Sequence, residues 1–190
     1  MYREIVVKDF LPVLLEHLKF AESILDVGSG TGTLLERYEA KVVIGLDIHR
    51  PYLLHRKYTA PHIIPVHADA RHIDELFLPG TFSAVTFIDS LEHFTMREGK
   101  ELLRKAEIIA ANRVVVFTPR GFFPQEADHY HLHGEQFQKH RSGWEPEDFL
   151  ELGYHVTVLK GFHHAENPSF QEAFGQNHAP LDALLACKTV

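Results

Sequence analysis

The stretch that decides the fold is Ile24-Leu25-Asp26-Val27-Gly28-Ser29-Gly30-Thr31-Gly32. It begins as an apolar run typical of a β-strand, passes through an acidic residue and ends in three glycines at alternate positions. Helix-forming residues follow at 34–37, so the pattern predicts a strand, a tight turn and a helix that ends near Ala40. Glycine has no Cβ and readily adopts positive φ, so such a turn lets a ligand lie against the backbone. The alternative is an ordinary glycine-rich turn without a ligand.

Predicted strands and helices alternate along the rest of the chain. Strands are expected at 23–27, 41–47, 62–67, 81–88, 113–118, 154–159 and 183–189. Apolar residues at helical spacing predict further helices at 9–20, 50–58, 96–110 and 145–152. This alternation implies parallel strands joined by right-handed crossovers, which is a doubly wound, mostly parallel α/β sheet. The last two strands lack a long helix between them, so we expect an antiparallel pair at one edge, while Pro65 predicts an edge position for the strand at 62–67.

Length and composition narrow the class of protein. The chain has 190 residues and 45% hydrophobic residues, which is enough for one full core, so residues 1–190 are expected to form a single domain. A net charge of −7 without basic runs argues against a strong nucleic-acid surface. Cys187 is the only cysteine, which excludes an internal disulfide. The sequence shows neither a signal-peptide pattern nor a membrane-length apolar run, so we expect a cytoplasmic protein with no membrane partner.

Acidic residues stand at the carboxyl ends of four predicted strands: Asp26, Asp47, Asp69 and Asp89. Ligands of doubly wound sheets bind at these strand ends. Asp47 lies 19 residues after Gly28, a separation that brings a carboxylate beside a ribose diol. Asp69 could accept a hydrogen bond from the exocyclic amine of an adenine. Each acid alone could equally be a solvated loop residue or a helix cap, but together they indicate a nucleoside-type ligand.

A nicotinamide dinucleotide would use the same type of fold and the same ribose acid. Its fingerprint is G-x-G-x-x-G/A, whereas this chain has Gly28-x-Gly30-x-Gly32 and Thr33 at the sixth position. The spacing therefore argues against a binding site for the pyrophosphate of a dinucleotide. An NAD-dependent oxidoreductase stays open as the less favoured alternative.

These motifs resemble those of the class I S-adenosylmethionine (SAM)-dependent methyltransferases, in the same order and spacing. Residues 24–32 resemble the first motif and residues 45–48 the ribose-binding second motif. The adenine-contacting third motif is similar to residues 68–70, the fourth to residues 82–93, and the strand that follows to residues 114–119. The resemblance covers residues 23 to about 160 and is closest to the small methyltransferases called type 11.

The resemblance implies a Rossmann-like sheet of seven strands with an antiparallel last strand. It also implies SAM as the cofactor and S-adenosylhomocysteine (SAH) as its product. The cofactor-binding residues it indicates are Asp26, Gly28, Ser29, Gly30, Gly32, Asp47, Ile48, Asp69, Ala70, Asp89 and Ser90.

Methyl transfer from a sulfonium is an in-line displacement with an excellent leaving group, so the protein mainly orients the acceptor and excludes water. An acceptor that must lose a proton needs a base, and histidine suits that role near neutral pH. The candidates are His93, which follows the strand at 81–88, and His129 and His131, which would project to one side of an extended segment. Asp89-x-x-Glu92-His93 also resembles the Glu-x-x-Glu-His metal site of ubiquinone-pathway O-methyltransferases and small-RNA 2′-O-methyltransferases. Aspartate replaces the first glutamate, and we assign no metal ligand.

Two irregular segments, 119–143 and 161–180, are expected to form insertions on the acceptor side. Their aromatic residues and Trp144 could build an apolar wall of the acceptor pocket or a satellite core. We therefore predict a SAM-dependent methyltransferase that acts on a small-molecule acceptor, with methylation on oxygen slightly favoured. The alternative from another class is a non-catalytic module that binds SAM or SAH and partners another protein.

Overall fold

The computed structural model describes residues 1–190 and contains one mixed sheet of eight strands. The strands are β1 (Tyr2–Ile5), β2 (Ser23–Val27), β3 (Val42–Asp47), β4 (Ile63–His67), β5 (Phe82–Ile88), β6 (Ala110–Pro119), β7 (His155–His163) and β8 (Leu181–Thr189). Their order across the sheet is β1-β7-β8-β6-β5-β2-β3-β4. Strand β8 is antiparallel to both neighbours, and all other pairs are parallel. The doubly wound sheet is confirmed, with one strand more than the seven expected.

The additional strand is β1, which pairs in parallel with β7, Tyr2 lying opposite Val156 and Ile5 opposite Leu159. Its residues are mostly exposed, so the segment carries no apolar pattern that would have revealed it. The predicted antiparallel pair β7–β8 is confirmed, but its position is corrected: β8 lies between β6 and β7, and β1 covers the edge. Strand β4, which contains Pro65, forms the opposite edge as predicted.

The chain forms seven helices. They are α1 (Leu11–Leu18), α2 (Arg50–Leu54), α3 (Ile73–Leu76), α4 (Met96–Ile109), α5 (Glu135–Gln138), α6 (Pro146–Glu151) and α7 (Pro168–Phe174). Asp9 stabilises the start of α1 because its Oδ1 accepts the backbone N–H of Leu11 at 2.9 Å. None of the helices is both long and apolar enough to cross a membrane.

The prediction of a helix after the glycine turn is wrong. Only a single 3₁₀ turn, Leu35–Arg37, forms there, and Tyr38 is already extended. The reason is the short return path to β3, since the backbone N–H groups of Lys41 and Val42 both donate to the carbonyl oxygen of Glu22 beside the start of β2. Leu35 is nevertheless buried and takes over the packing role of the missing helix.

Buried apolar residues form one layer on each face of the sheet, and Trp144 belongs to the layer that also contains α4. Its indole ring stacks on Phe149 with ring centroids 4.9 Å apart. A Cβ added to Gly99 in α4 would lie 2.6 Å from the Trp144 ring, so the tryptophan packs directly on the helix backbone. Trp144 is therefore a core residue. Polar residues gather instead at the carboxyl ends of the central strands.

Candidate cofactor and acceptor site

The glycine turn after β2 has the conformation that its composition predicts. Gly28, Gly30 and Gly32 have φ angles of 75°, 56° and 74°, a region that favours glycine. Side chains of the protein also approach the turn closely: a Cβ at Gly28 would lie 2.7 Å from Cβ of Ser90, and one at Gly30 would lie 2.7 Å from the hydroxyl of Tyr130. The absence of Cβ atoms is thus required by the protein's own packing as well as by the backbone angles.

Asp47, the last residue of β3, connects this turn to the neighbouring strand. Its Oδ2 accepts the backbone N–H of Gly30 at 2.9 Å, and its Oδ1 accepts the N–H of His49 at 2.7 Å. Burial raises the pKa of Asp47, while the two N–H groups favour its charged form. Each oxygen accepts only one of these bonds, so each keeps a lone pair for a further donor.

Asp26 in β2 is buried and makes its hydrogen bonds within the protein. Its Oδ1 accepts from the hydroxyl of Thr86 in β5 and, at 3.3 Å, from the hydroxyl of Tyr38. Burial raises the pKa of Asp26 to about 6, although both hydroxyl groups oppose that shift. Neither Thr86 nor Tyr38 stands out in the sequence, since both belong to otherwise ordinary structural segments.

Asp69 follows β4 and forms an ion pair with Arg71, with Nη2 of the arginine 2.6 Å from Oδ2. The Asp69 carboxylate also accepts the backbone N–H of Arg71 at 2.9 Å. Hydrogen bonding from the Arg71 side chain is the main cause of the lowered pKa of Asp69. A hydrogen bond from an adenine amine to Asp69 would therefore involve a carboxylate that is already paired with the guanidinium of Arg71.

Two cavities open at the carboxyl ends of the strands. The first, of about 180 Å³, lies over β3 and the start of the segment after β4. It brings together six residues that the sequence predicts for the cofactor: Gly28, Asp47, Ile48, Asp69, Ala70 and Ser90. The second, of about 410 Å³, lies over β2, β5 and β6 and is lined by four more of them: Asp26, Ser29, Gly30 and Asp89. Gly32 lines neither cavity.

The two cavities share three lining residues, Gly28, His93 and Gln138. His93 therefore stands where the cavities meet. Tyr130 and Gln138 line the second cavity and Arg141 the first, and none of these three was predicted. The sole sequence signal for them is that they fall within the irregular segment 119–143.

The segment that contains the alternate histidines is not extended, which corrects the prediction. The carboxylate of Asp128 accepts the backbone N–H groups of Tyr130, Leu132 and Gly134 at 2.9, 2.7 and 3.0 Å, so the chain folds into a tight loop around it. Within this loop His131 has a positive φ of 55°. His129 lines the second cavity, whereas His131 is exposed and lines neither cavity.

The aromatic residues expected to form one wall of the acceptor pocket lie in different places. Phe123 is buried and lines the second cavity, Phe137 lines the first, and Phe122 is exposed. Trp144, as described above, belongs to the core. The segment 119–143 thus contributes single aromatic residues to two cavities rather than one apolar surface.

Two carboxyl groups follow β5. Glu92 is buried, and its Oε2 accepts a hydrogen bond of 3.0 Å from the hydroxyl of Thr118. Burial, with a smaller contribution from Asp89, raises the pKa of Glu92. Asp89 has a positive φ of 46° and opens onto the second cavity. Although water reaches it there, the surrounding protein desolvates its carboxyl and raises its pKa to about 7.

Three histidines that line the second cavity have lowered pKa values. Burial lowers the pKa of His93 to about 3 and the pKa values of His140 and His163 to about 4. The rings of His93 and His140 contact each other edge to face, with centroids 4.9 Å apart. All three imidazoles are thus uncharged at neutral pH. No three histidine, cysteine or acidic side chains converge as a metal site would require.

Comparison with known proteins agrees with this geometry. A family model described as a methyltransferase domain matches residues 24–110, from β2 to the start of β6. A SAM-dependent methyltransferase from Archaeoglobus fulgidus has a similar structure, with a TM-score of 0.63 and 18% identity, over 94% of this chain and 91% of that chain. The methyltransferase domain of bacterial CtHen1-CN gives a TM-score of 0.61 and 20% identity, over 95% and 97% of the two chains.

A third similar structure is the plantazolicin methyltransferase BamL, solved in complex with a triazolic desmethylPZN analog and SAH. Its TM-score is 0.59 at 13% identity, over 93% of this chain and 83% of that chain. No curated protein sequence matches the chain. The domain match covers fewer than half of the residues, and together with these structures it agrees in fold and motif order with the resemblance to class I SAM-dependent methyltransferases.

Proposed function

We propose that the protein transfers the methyl group of SAM to an oxygen atom of a small-molecule acceptor. In this proposal the first cavity holds the adenosine of the cofactor, and the second holds its methionine end together with the acceptor. The observation that carries the proposal is the meeting of the two cavities at Gly28 and His93, because a sulfonium bound across that junction would present its methyl group to the second cavity.

The residues of the first cavity suit adenosine. Asp47 has a free lone pair on each oxygen for the two ribose hydroxyls. Ile48 offers an apolar contact for the base, and Asp69 with the backbone of Ala70 would contact its polar edge. The glycine turn and Asp26 would lie beside the methionine end. The donor and acceptor types at each position match what this cofactor presents.

SAM supplies an electrophilic methyl carbon and a neutral leaving group. The chain's own part is to orient the acceptor, exclude water and take up one proton from the hydroxyl as the carbon–oxygen bond forms. His93 is uncharged, and its Nδ1 is buried without a hydrogen-bond partner, so it is available to hold the acceptor hydroxyl. Asp89 is better suited than His93 to receive the proton, because its raised pKa is closer to neutrality.

Calorimetric titration of the purified protein with SAM, SAH and NAD tests the cofactor assignment. We expect heat from SAM and SAH and none from NAD. Tight NAD binding without SAH binding would contradict the proposal and favour an oxidoreductase. Turnover is then followed as SAH release across an acceptor library, and NMR of the product identifies the methylated atom.

The non-catalytic alternative makes a different prediction in the same experiments. It requires SAM binding without SAH release for any acceptor. It also requires that His93→Ala change nothing except stability. Under our proposal His93→Ala lowers kcat by about 10-fold to 1,000-fold and affects SAH affinity much less, since the imidazole lies where the cavities meet and holds the acceptor hydroxyl.

A further inference from the structure

The lining of the second cavity carries information about the acceptor's charge. The cavity is lined mainly by polar side chains, yet none of them is a lysine or an arginine. Anionic ligands in proteins are normally held by guanidinium or ammonium groups or by converging backbone N–H groups. Here the ionisable groups are carboxyls such as Asp89 and Glu92, a phenol and four imidazoles, of which only His129 is exposed. The methionine end of SAM brings its own ammonium group, whereas a carboxylate or phosphate on the acceptor would find no lysine or arginine among the lining side chains.

Two ring nitrogens in this cavity lack partners. His93 Nδ1 and His163 Nε2 are buried and accept or donate no hydrogen bond within the protein. Buried polar atoms are normally satisfied, so unpartnered atoms on cavity-lining side chains indicate a ligand or water that completes them. In contrast, Nδ1 of His140 is already held by the carbonyl oxygen of Phe123 at 2.6 Å. Within this group of histidines, His93 and His163 therefore each have a ring nitrogen that can still form a hydrogen bond.

An apolar surface adjoins these polar atoms. The buried ring of Phe123 packs edge to face against His163, with centroids 5.4 Å apart, and both line the cavity. An aromatic ring beside several uncharged hydrogen-bonding groups suits a ligand that has both C–H groups and hydroxyl groups. The carboxyl oxygens of Asp89 and Glu92 add acceptors for such hydroxyls.

We infer that the acceptor is an uncharged polyhydroxylated compound, held by His93 and His163 and by the ring of Phe123. This inference rests on the proposed methyl transfer to oxygen and specifies its substrate class. One hydroxyl would lie at His93, where the two cavities meet, and receive the methyl group. Another would satisfy Nε2 of His163. Cofactor and acceptor share a cavity of about 410 Å³, so the acceptor is small.

The first test measures SAH release by the full chain with SAM and a panel of acceptors that have similar size but different charge. Neutral members are glucose, other monosaccharides and inositols; glucosamine is the cationic member, and glucuronate and glucose 6-phosphate are the anionic members. We expect at least one neutral member to raise SAH release about 10-fold or more above the rate without acceptor, and the anionic members to leave it within about 2-fold. Faster release with the charged members, or no release with any neutral member although SAM binds, overturns the inference. If SAM itself does not bind, the proposed function fails as well.

The second test uses two neighbouring histidines, with the best acceptor of the panel. His163 lines the cavity, whereas His164 does not, and the backbone N–H of His164 donates to Asn167. We expect His163→Ala to raise KM for the acceptor by about 10-fold with kcat within about 2-fold, and His163→Gln to restore much of the loss. His164→Ala is the control and should change neither constant. Equal effects of the two alanine variants on KM would contradict the assigned role of His163.

Discussion

The hydroxyl of Tyr52 donates a hydrogen bond of 2.8 Å to the carboxylate of Asp128. This contact joins α2, which begins three residues after Asp47, to the loop that folds around Asp128. A second bond of 2.8 Å links Nε2 of His49 with the carbonyl oxygen of Leu132. The same loop places the Tyr130 hydroxyl against Gly30. The segment that covers the glycine turn is thereby fastened to the strand end that carries Asp47.

Removing the Tyr52 hydroxyl should destabilise the loop around Asp128 that lies over the glycine turn. In Tyr52→Phe the Asp128 carboxylate keeps its three backbone donors but loses a buried charge-assisted bond, so we expect a loss of about 1 kcal/mol in unfolding free energy and a similar loss in SAH binding. Hydrogen exchange of the backbone amides in the loop should accelerate. Tyr58→Phe is the matched control, because its buried hydroxyl has no partner in the protein. If both variants behave alike, the Tyr52–Asp128 bond does not hold the loop.

Asp47→Ala should weaken SAH binding by roughly 1 to 3 kcal/mol, because it removes a charge-assisted bond to the ribose and leaves two backbone N–H groups unsatisfied. Calorimetric titration measures the change. Asp74→Ala, in α3 and outside both cavities, serves as the control and should bind SAH normally. Normal binding by Asp47→Ala would remove this residue from the proposed cofactor site.

Gly30 should tolerate no side chain. Gly30→Ala places a Cβ at a φ of 56° and 2.7 Å from the Tyr130 hydroxyl. We expect it to lose about 1 to 3 kcal/mol of unfolding free energy, and Gly30→Val to abolish SAH binding. Gly80 has a φ of 67° with no atom near an added Cβ, so Gly80→Ala measures the backbone strain alone. A Gly30→Ala variant no less stable than Gly80→Ala would show that crowding by Tyr130 is unimportant.

The buried carboxyl of Asp26 should make stability depend on pH. Its pKa is raised from about 3.9 in the unfolded chain to about 6 in the fold. The folded state therefore prefers the protonated form, and stability from this group is lost as pH rises from about 4 through 6. Asp26→Asn cannot ionise, so its unfolding free energy relative to the wild type should increase across that range, reaching a difference of about 3 kcal/mol near pH 7. Denaturant unfolding at several pH values measures this difference. A difference that stays constant with pH would contradict the assignment.

The proposed proton transfer should appear in the pH profile of kcat/KM. If Asp89 receives the proton, activity rises with pH and levels off above about 7, where its carboxyl is ionised. Asp89→Asn should lose both the rise and most of the rate. Protonation of His93 occurs only near pH 3, so this residue adds no inflection in the neutral range. A profile that is flat from about pH 5 to 8 in the wild type would exclude Asp89 as the proton acceptor.

Local patterns were sufficient for much of the fold and for placing the residues proposed for the cofactor at the carboxyl ends of the strands. Alternating apolar segments predicted the parallel strands, Pro65 predicted the edge position of β4, and the glycine run predicted the turn after β2. The positions of Asp47 and Asp69 at strand ends follow from the same reasoning, since parallel strands bring their carboxyl ends to one side of the sheet. Periodicity and turn chemistry are properties of neighbouring residues, so they can be read along the chain.

The tertiary structure alone decided the rest. The chain's short return to β3 suppressed the helix predicted after the turn, and a pairing partner in β7 ordered the polar residues of β1. Asp128 turned the histidine segment into a tight loop, which removed His131 from the site. His93, in the turn after β5, and His163, at the end of β7, line one cavity although they are distant in the sequence. Sequence spacing determined which backbone shapes could form, whereas contacts between remote segments determined which side chains face a ligand and, through burial, which of them carry charge.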